Sequence, residues 1–498
     1  MEFYKEDYPY YKKTASTQPI MVLYKLVLKN AIKSLLRMIN KKPPAETLIS
    51  TLNELFDDAM NKARNAVITD FQTDLSSIRD LFLGLMPYYI PTLLFGLMYQ
   101  NKIRKILDKY SLGDLNIEHL WGNRPENIAN QLNHSIMKMG ITLKRIMNDD
   151  SDLSNKIHLI VKNKDGDMWL KIIDSFSSSS NPDQVGFSKQ WEEFIFKFGH
   201  RGPTEIDIAA PRYSDSPLMV LNMILNIDSS HYLDEEALIR EREETTKKVL
   251  DLLKPSDRKK VEKYLPYAQL TFIFREHPKY IVVSFLKKYR DYLLNVADEL
   301  VSKSLIEQRD DVFFLPVNVI CEYVKGNNDA STFKKIVKDN KAIDTLGRSL
   351  QFPRTIMGPE CILRVISKQT REELKNLPPN TLSGLGASAG VVEGVAVVCT
   401  DPETAVINQG EILVAAATDP GWTPLFVPAA AAVIEIGGAL THGSVVAREM
   451  GIPCVVSIQG LLSRVKTGMR LRVDGSKGLV EILEYSFCSN KQRMAPMT

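Results

Sequence analysis

The residues best suited to chemistry lie in the run Gly437-Gly438-Ala439-Leu440-Thr441-His442-Gly443-Ser444-Val445-Val446-Ala447-Arg448-Glu449-Met450-Gly451-Ile452-Pro453. The run is entered from Ala431 to Ile436, nearly all apolar, as a strand covered on both faces would be. Gly437 and Gly438 let the backbone turn sharply and approach a ligand closely. Thr441 reads as an N-cap, which places His442 at the start of a helix running to about Met450. Gly451 and Pro453 then stop it. A helix start offers unpaired N–H groups and a partial positive charge, a combination that suits a phosphate. An imidazole held there could attack a phosphoryl group, carry it covalently and hand it on. The plainer alternative is a histidine that merely caps or packs in a turn.

Two other clusters carry chemical side chains. Gly199-His200-Arg201-Gly202-Pro203-Thr204-Glu205-Ile206-Asp207-Ile208-Ala209-Ala210-Pro211-Arg212-Tyr213 holds two glycines, two prolines and four formal charges, so it reads as a structured loop. His200, Arg201 and Glu205 either line a site for an acceptor or brace the fold as a salt-bridged turn. The second cluster is Arg275-Glu276-His277-Pro278-Lys279. On an unbroken helix Arg275 and Lys279 project from one face, where two cations could embrace a transferring phosphoryl group. Pro278 works against that continuity, and an ordinary surface pair is the alternative.

The elements that must position these groups change character along the chain. Helical periodicity covers Pro19 to Lys41, Ala45–Thr73, Ile103–Tyr110 and Pro125–Met147. A loop at Ser177 to Pro182 precedes an apolar-aromatic helix, Gln190 to Phe198. Asp234 to Leu253 reads as a charged helix, and Leu286, Tyr289, Leu293, Ala297 and Leu300 form an apolar stripe within Tyr264 to Gln308. Leu377-Pro378-Pro379-Asn380 is the best linker signal. Beyond it the period becomes strand-like, with strands expected at Gly384 to Val398, Glu411 to Ala415, Ala431 to Ile436, Cys454 to Ile458, Arg470 to Val473 and Gly478 to Leu483. The fold class is therefore multidomain: a mainly α-helical domain over 1–376, a linker over 377–383, a β-rich α/β domain over 384–485 and a tail over 486–498.

Bulk composition narrows the partners. The 498 residues carry 63 Lys and Arg against 60 Asp and Glu, and a net charge of +3 gives no electrostatic argument for nucleic acid. Five scattered cysteines (Cys321, Cys361, Cys399, Cys454, Cys488) form neither a disulfide framework nor a metal site and fit a reducing compartment, the cytoplasm. The N-terminal MEFYKEDYPYYKK lacks the apolar core of a signal peptide. Leu81 to Asn101 has no charge and is long enough to span a bilayer. Its Pro87, Pro91 and three tyrosines favour a buried, bent helix pair and no membrane insertion.

Taken as strings, these residues resemble a known family. GGALTHGSVVAREMGIP is similar to the phosphohistidine motif of the swivelling domain in phosphoenolpyruvate-utilising enzymes, and most to its rifampicin phosphotransferase branch. Thr418-Asp419-Pro420-Gly421-Trp422-Thr423-Pro424-Leu425-Phe426 resembles the segment preceding that motif, and Gly199 to Glu205 resembles a segment of the same branch's acceptor-binding domain. Asp310 to Leu315 looks like the turn and strand closing the helical region. The resemblance implies that His442 is the phosphorylated nucleophile of a swivelling phosphohistidine domain, with Thr441 and Gly443 as local phosphate donors. It also implies that Arg275 and Lys279 face the phosphohistidine.

In that family ATP pyrophosphorylates the histidine, AMP leaves, phosphate is lost, and the remaining phosphoryl group passes to an acceptor hydroxyl. The (β/α)₈ barrel of phosphoenolpyruvate-forming enzymes needs about 250 residues, and the tail after Leu483 does not hold one. No ATP-grasp pattern is found either. The expectation is thus a carrier and acceptor module that binds no cofactor itself, with ATP and Mg²⁺ handled by an ATP-grasp protein in trans and a small-molecule hydroxyl as acceptor. The competing expectation is a catalytically incomplete homologue that binds a small molecule or a protein.

Overall fold

The computed structural model describes residues 44–68, 71–110, 120–225 except 123, 235–326, 332–349 and 380–484 except 401, 403, 404, 439 and 440, together with 35, 36 and 39. The helix expected over Pro19 to Lys41 (apart from residues 35, 36 and 39), residues 377–379 of the linker and the tail lie outside the described residues. The described residues fall into two compact units, those within 1–115 and 247–285 and those within 116–246 and 286–498.

The first unit is helical. Ala45–Asn65 ends where Ala66 turns extended, and a new helix, Phe71–Leu107, follows, so the pattern read as one stretch to Thr73 is two elements. Phe71–Leu107 packs along Pro255–Phe274. Gln100 donates to the Ala268 carbonyl at 2.7 Å, Thr271 donates to the Leu93 carbonyl at 3.1 Å, and Gly96 leaves just enough room for Thr271. Leu81 to Asn101 is therefore one continuous helix and not the bent pair expected from Pro87 and Pro91. Each proline removes one backbone bond. The long apolar contact with the neighbouring helix and the two side-chain bonds to its carbonyls outweigh that loss. Among the described residues no helix is long and apolar enough to cross a membrane.

Arg275 and Lys279 do not share one helix. Pro255–Phe274 stops at Arg275, and the next helix, His277–Ser302, starts two residues later. Pro278 has no N–H, and its ring would meet the Phe274 carbonyl, so the helix breaks one turn ahead of it. Arg275 bonds to Glu276 at 3.1 Å, and its carbonyl accepts from the Tyr89 hydroxyl at 2.9 Å.

The second unit joins helices to an eight-stranded mixed sheet. Its strands are β1 (Thr381–Ser383), β2 (Leu385–Ser388), β3 (Val391–Cys399), β4 (Ile412–Ala415), β5 (Ala431–Ile434), β6 (Cys454–Val456), β7 (Arg470–Asp474) and β8 (Leu479–Glu484). Their spatial order is β1-β8-β7-β3-β4-β5-β6-β2, with β3, β4, β5 and β6 parallel. β1 lies inside the stretch read as linker, because Thr381 to Ser383 pair with β8. The parallel centre is buried on both faces, which is why its strands read as unbroken apolar runs. Successive residues of β4 feed opposite cores: Leu413 and Ala415 pack with Phe426, Ile434 and Val446, while Ile412 and Val414 pack with Val433, Leu471 and Val480. Cys454 sits fully buried in β6, and burial pushes its thiol up to about 12. Asp310 to Leu315 is a 3₁₀ helix, Arg309–Phe314, and not a strand, because the Asp311 carboxylate accepts from the Glu307 and Gln308 amides and winds the turn.

The loop at 199–214 is closed on itself: the Tyr213 amide donates to the Arg201 carbonyl at 2.8 Å and the Ser214 amide to the Gly199 carbonyl at 2.9 Å. Arg290 reaches in from His277–Ser302, bonding to the carbonyls of Ile208 (3.1 Å) and Ala209 (2.8 Å) and to the Asp215 carboxylate (2.9 Å). Asp215 also pairs with Lys287 at 3.1 Å. Burial pushes the Asp215 carboxyl up, but these cations and the Arg212 amide together hold it below its ordinary 3.8. A carboxyl depressed in the folded state stabilises the fold above its unfolded pKa, and that contribution is lost as pH falls through the folded value. Asp215→Asn should therefore flatten the acid limb of the stability curve below about pH 4. Urea titrations between pH 2 and 7 check this, and an unchanged acid limb contradicts it. Arg290→Ala, which takes one of two cations from Asp215 and removes the donor to the Ile208 and Ala209 carbonyls, should cost about 2 kcal/mol in the same titrations.

Candidate phosphohistidine site

The site forms where two neighbouring parallel strands end. β4 runs into Ala416 to Thr423, and β5 runs into Gly437, Gly438 and the helix His442–Glu449, which returns to β6. The carboxyl ends of parallel strands are where open α/β sheets hold ligands. The helix stops in a Schellman arrangement, with the Ile452 amide on the Ala447 carbonyl (3.0 Å), the Gly451 amide on the Arg448 carbonyl (3.2 Å) and Gly451 at φ +69°.

His442 opens this helix and is 9% exposed. Its Nε2 lies 3.0 Å from the hydroxyl oxygen of buried Thr423, at the N-terminus of the short helix Thr423–Phe426. In the sequence Thr423 stands only as one residue of the string that precedes the motif. The ring contact joins segments nineteen residues apart, and no local periodicity signals it.

Thr441 occupies the N-cap position, but its hydroxyl does not cap the helix. It donates instead to the Gly438 carbonyl at 2.9 Å and accepts from the Gly438 amide at 3.3 Å. Ser444 donates to the same carbonyl at 2.7 Å. These hydroxyls tie the glycine turn to the helix and leave the capping of the first-turn amides to other groups. Uncapped amides at a helix start are the groups an anion takes up.

Gly443 is required by packing. A Cβ there would lie 2.2 Å from the Thr418 hydroxyl oxygen, 2.6 Å from Ile434 Cδ1 and 3.2 Å from Phe426 Cζ. The helix start can therefore press directly onto the sheet. Gly437 is less tightly held, with Val456 and Thr441 each 3.2 Å from a notional Cβ, and Gly438 faces open space.

Of the remaining predicted site residues, Arg201 and Glu205 form a two-point ion pair with both side chains fully buried inside the 199–214 loop (Nη2–Oε1 2.9 Å). His200 is buried beside them in sequence. Arg275 and Lys279 belong to the first unit and His442 to the second.

Comparison with known proteins agrees with this architecture. Residues 407–478 match the family model "PEP-utilising enzyme, mobile domain", and residues 92–276 match "Rifampicin phosphotransferase fourth domain". The chain belongs to a rifampicin phosphotransferase-like family. It is 37% identical over 306 residues to rifampicin phosphotransferase of Bacillus cereus, a match covering 59% of this chain and 34% of that protein. The Bacillus subtilis protein of the same name is 31% identical over 373 residues, covering 72% and 41%. Prodigiosin synthesizing transferase PigC of Serratia marcescens is 28% identical over 320 residues, covering 61% and 34%. The matched part thus spans from about a third to just over two-fifths of these relatives' lengths. The family is one of phosphohistidine-type phosphotransferases.

Two substitutions test the local geometry. Gly443→Ala should lower stability by about 2 kcal/mol or more through overpacking and displace the imidazole, read by thermal melts and by the ¹⁵N shifts of the His442 ring. Thr423→Val keeps the shape and removes the hydroxyl. It should move the Nε2 resonance and the tautomer balance of His442 while costing less than about 1.5 kcal/mol. An unmoved Nε2 signal contradicts the contact.

Proposed function

We propose that this chain is the carrier and acceptor part of a phosphotransferase, with His442 as the covalent phosphoryl carrier. The observation that supports it best is the placement of the imidazole. It stands at an N-terminus whose cap residue spends its hydroxyl elsewhere, at the carboxyl ends of two parallel strands, with its Nε2 against Thr423.

In this reading a ring nitrogen of His442 attacks the β-phosphorus of ATP, the N–P bond forms, and the bond from that phosphorus to the oxygen kept by AMP breaks. Water then cleaves the outer phosphoanhydride, inorganic phosphate leaves, and a single phosphoryl group stays on the ring. In the second transfer the acceptor's hydroxyl oxygen attacks, the N–P bond breaks, and the hydroxyl proton passes to the freed imidazole. Splitting one transfer into two is what covalent catalysis contributes. The first-turn amides, Gly443 among them, stabilise the phosphoryl oxygens. Arg275 and Lys279 offset charge on the transferring group at the acceptor. ATP and Mg²⁺ act through an ATP-grasp protein in trans, and the acceptor is a small molecule with an apolar body and a free hydroxyl.

Labelled ATP tests this directly. Incubated with an ATP-grasp partner taken from a rifampicin phosphotransferase relative, the chain should gain acid-labile, alkali-stable label to nearly one equivalent. His442→Ala should gain less than a hundredth of that. Absence of label with the partner, despite a native thermal melt, would favour a binding module. In a labelled sample, Arg275→Gln and Lys279→Met should leave loading intact and slow transfer to the acceptor by about tenfold or more.

A further inference from the structure

The turn that holds Thr423 against His442 is itself held from outside the sheet. The Asp419 carboxylate accepts from the Gly421 amide at 3.0 Å with one oxygen, and with the other from the Thr204 amide at 2.6 Å. The Asp419 carbonyl accepts from the Trp422 amide at 2.9 Å, closing the turn immediately before Thr423. Thr204 belongs to the closed loop of the helical region and stands at φ +49°, a conformation rare for a β-branched residue, which aims its N–H at Asp419. Beside this bond the two surfaces are in tight contact. A Cβ on Gly421 would lie 2.8 Å from Pro203 Cα and 2.9 Å from Pro203 N.

The seam is nearly filled. A cavity of about 30 Å³ remains between Pro203, Tyr213 and Met219 on one side and Ile407, Leu425 and Pro428 on the other. That is room for a water or two and not for an organic acceptor.

We propose that Asp419 is a positioning residue that latches the histidine domain onto the 199–214 loop, and that while it is latched the turn keeps Thr423 on Nε2 and the imidazole at rest. Opening the Thr204–Asp419 bond frees the turn, then Thr423, and then the ring nitrogen. The braced interior of the loop, with Arg201 on Glu205 and Arg290 on the 208 and 209 carbonyls, makes it a rigid abutment for that contact. The catalytic consequence rests on the carrier reading of His442, whereas the docking contact does not.

Hydrogen–deuterium exchange and chemical phosphorylation separate the two. Asp419→Ala in the full chain should raise exchange in peptides covering 203–213 and 418–426 by about tenfold, the scale of a lost charge-assisted bond. Strands β4, β5 and β7 should stay protected. Asp419→Asn, which keeps an acceptor oxygen, should fall between. Gly421→Ala, which opens the seam by contact with Pro203 and leaves the carboxylate in place, should loosen the same peptides. Potassium phosphoramidate should label His442 about tenfold faster in Asp419→Ala than in the unaltered chain, and Asp419→Asn should restore part of the slower rate. Unchanged exchange at 203–213 in both Asp419→Ala and Gly421→Ala overturns the latch. Loosened peptides with an unaltered labelling rate overturn the coupling to His442. Loosened peptides with no label on His442 in any variant leave the docking contact standing and overturn the carrier reading and the coupling built on it.

Discussion

The arrangement depends on how closely the helix start at His442 approaches the sheet beneath it. With no side chain at 443, the first turn sits against Thr418, Ile434 and Phe426, and this fixes the direction in which the imidazole leaves the backbone. The ring then meets a hydroxyl carried by the loop after the adjacent strand. A methyl group at 443 would separate these surfaces by more than packed interiors tolerate. Ring placement is therefore set by the sheet's own core and not by flexible surface contacts.

The rest of the second unit follows from that geometry. Parallel strands β4 and β5 end side by side, so the loops that follow them are brought together without any long-range recognition between their sequences. Gly437, Gly438, Thr441 and Ser444 convert one strand end into a helix start, and Asp419 converts the other into the turn that carries Thr423. The loop at 199–214 bears on that turn through Thr204 and Pro203, which links the helical residues of the unit to the imidazole through a short series of bonds.

Much of this is legible in the amino-acid sequence. The strands of the parallel core announced themselves as apolar runs, and the stop at Gly451 and Pro453 marked the His442 helix to within a residue. The motif and its preceding segment carried the family. What escaped were features set by contacts distant in sequence. Thr423 could be assigned to the ring only once the ends of β4 and β5 were known to be neighbours. Gly443 read as a phosphate donor, yet its first duty is steric, and sterics depend on Ile434 and Phe426 arriving from elsewhere. Thr441 sat where a capping threonine belongs, but the Gly438 carbonyl competed for its hydroxyl. Prolines act both ways: Pro87 and Pro91 lie inside a continuous helix, while Pro278 ends one, as its place in the sequence warned. The difference is whether a neighbouring helix supplies enough packing to offset the missing bond.

The central claim is that one imidazole among the chain's seven histidines is built to carry phosphate. ³¹P NMR of the chain after brief treatment with phosphoramidate, with the modified residue located by electron-transfer fragmentation, addresses it without a nucleotide or a partner. The account predicts a single phosphohistidine resonance that maps to His442 and disappears on acidification. Phosphate spread evenly over exposed histidines such as His158, with none at His442, would contradict it.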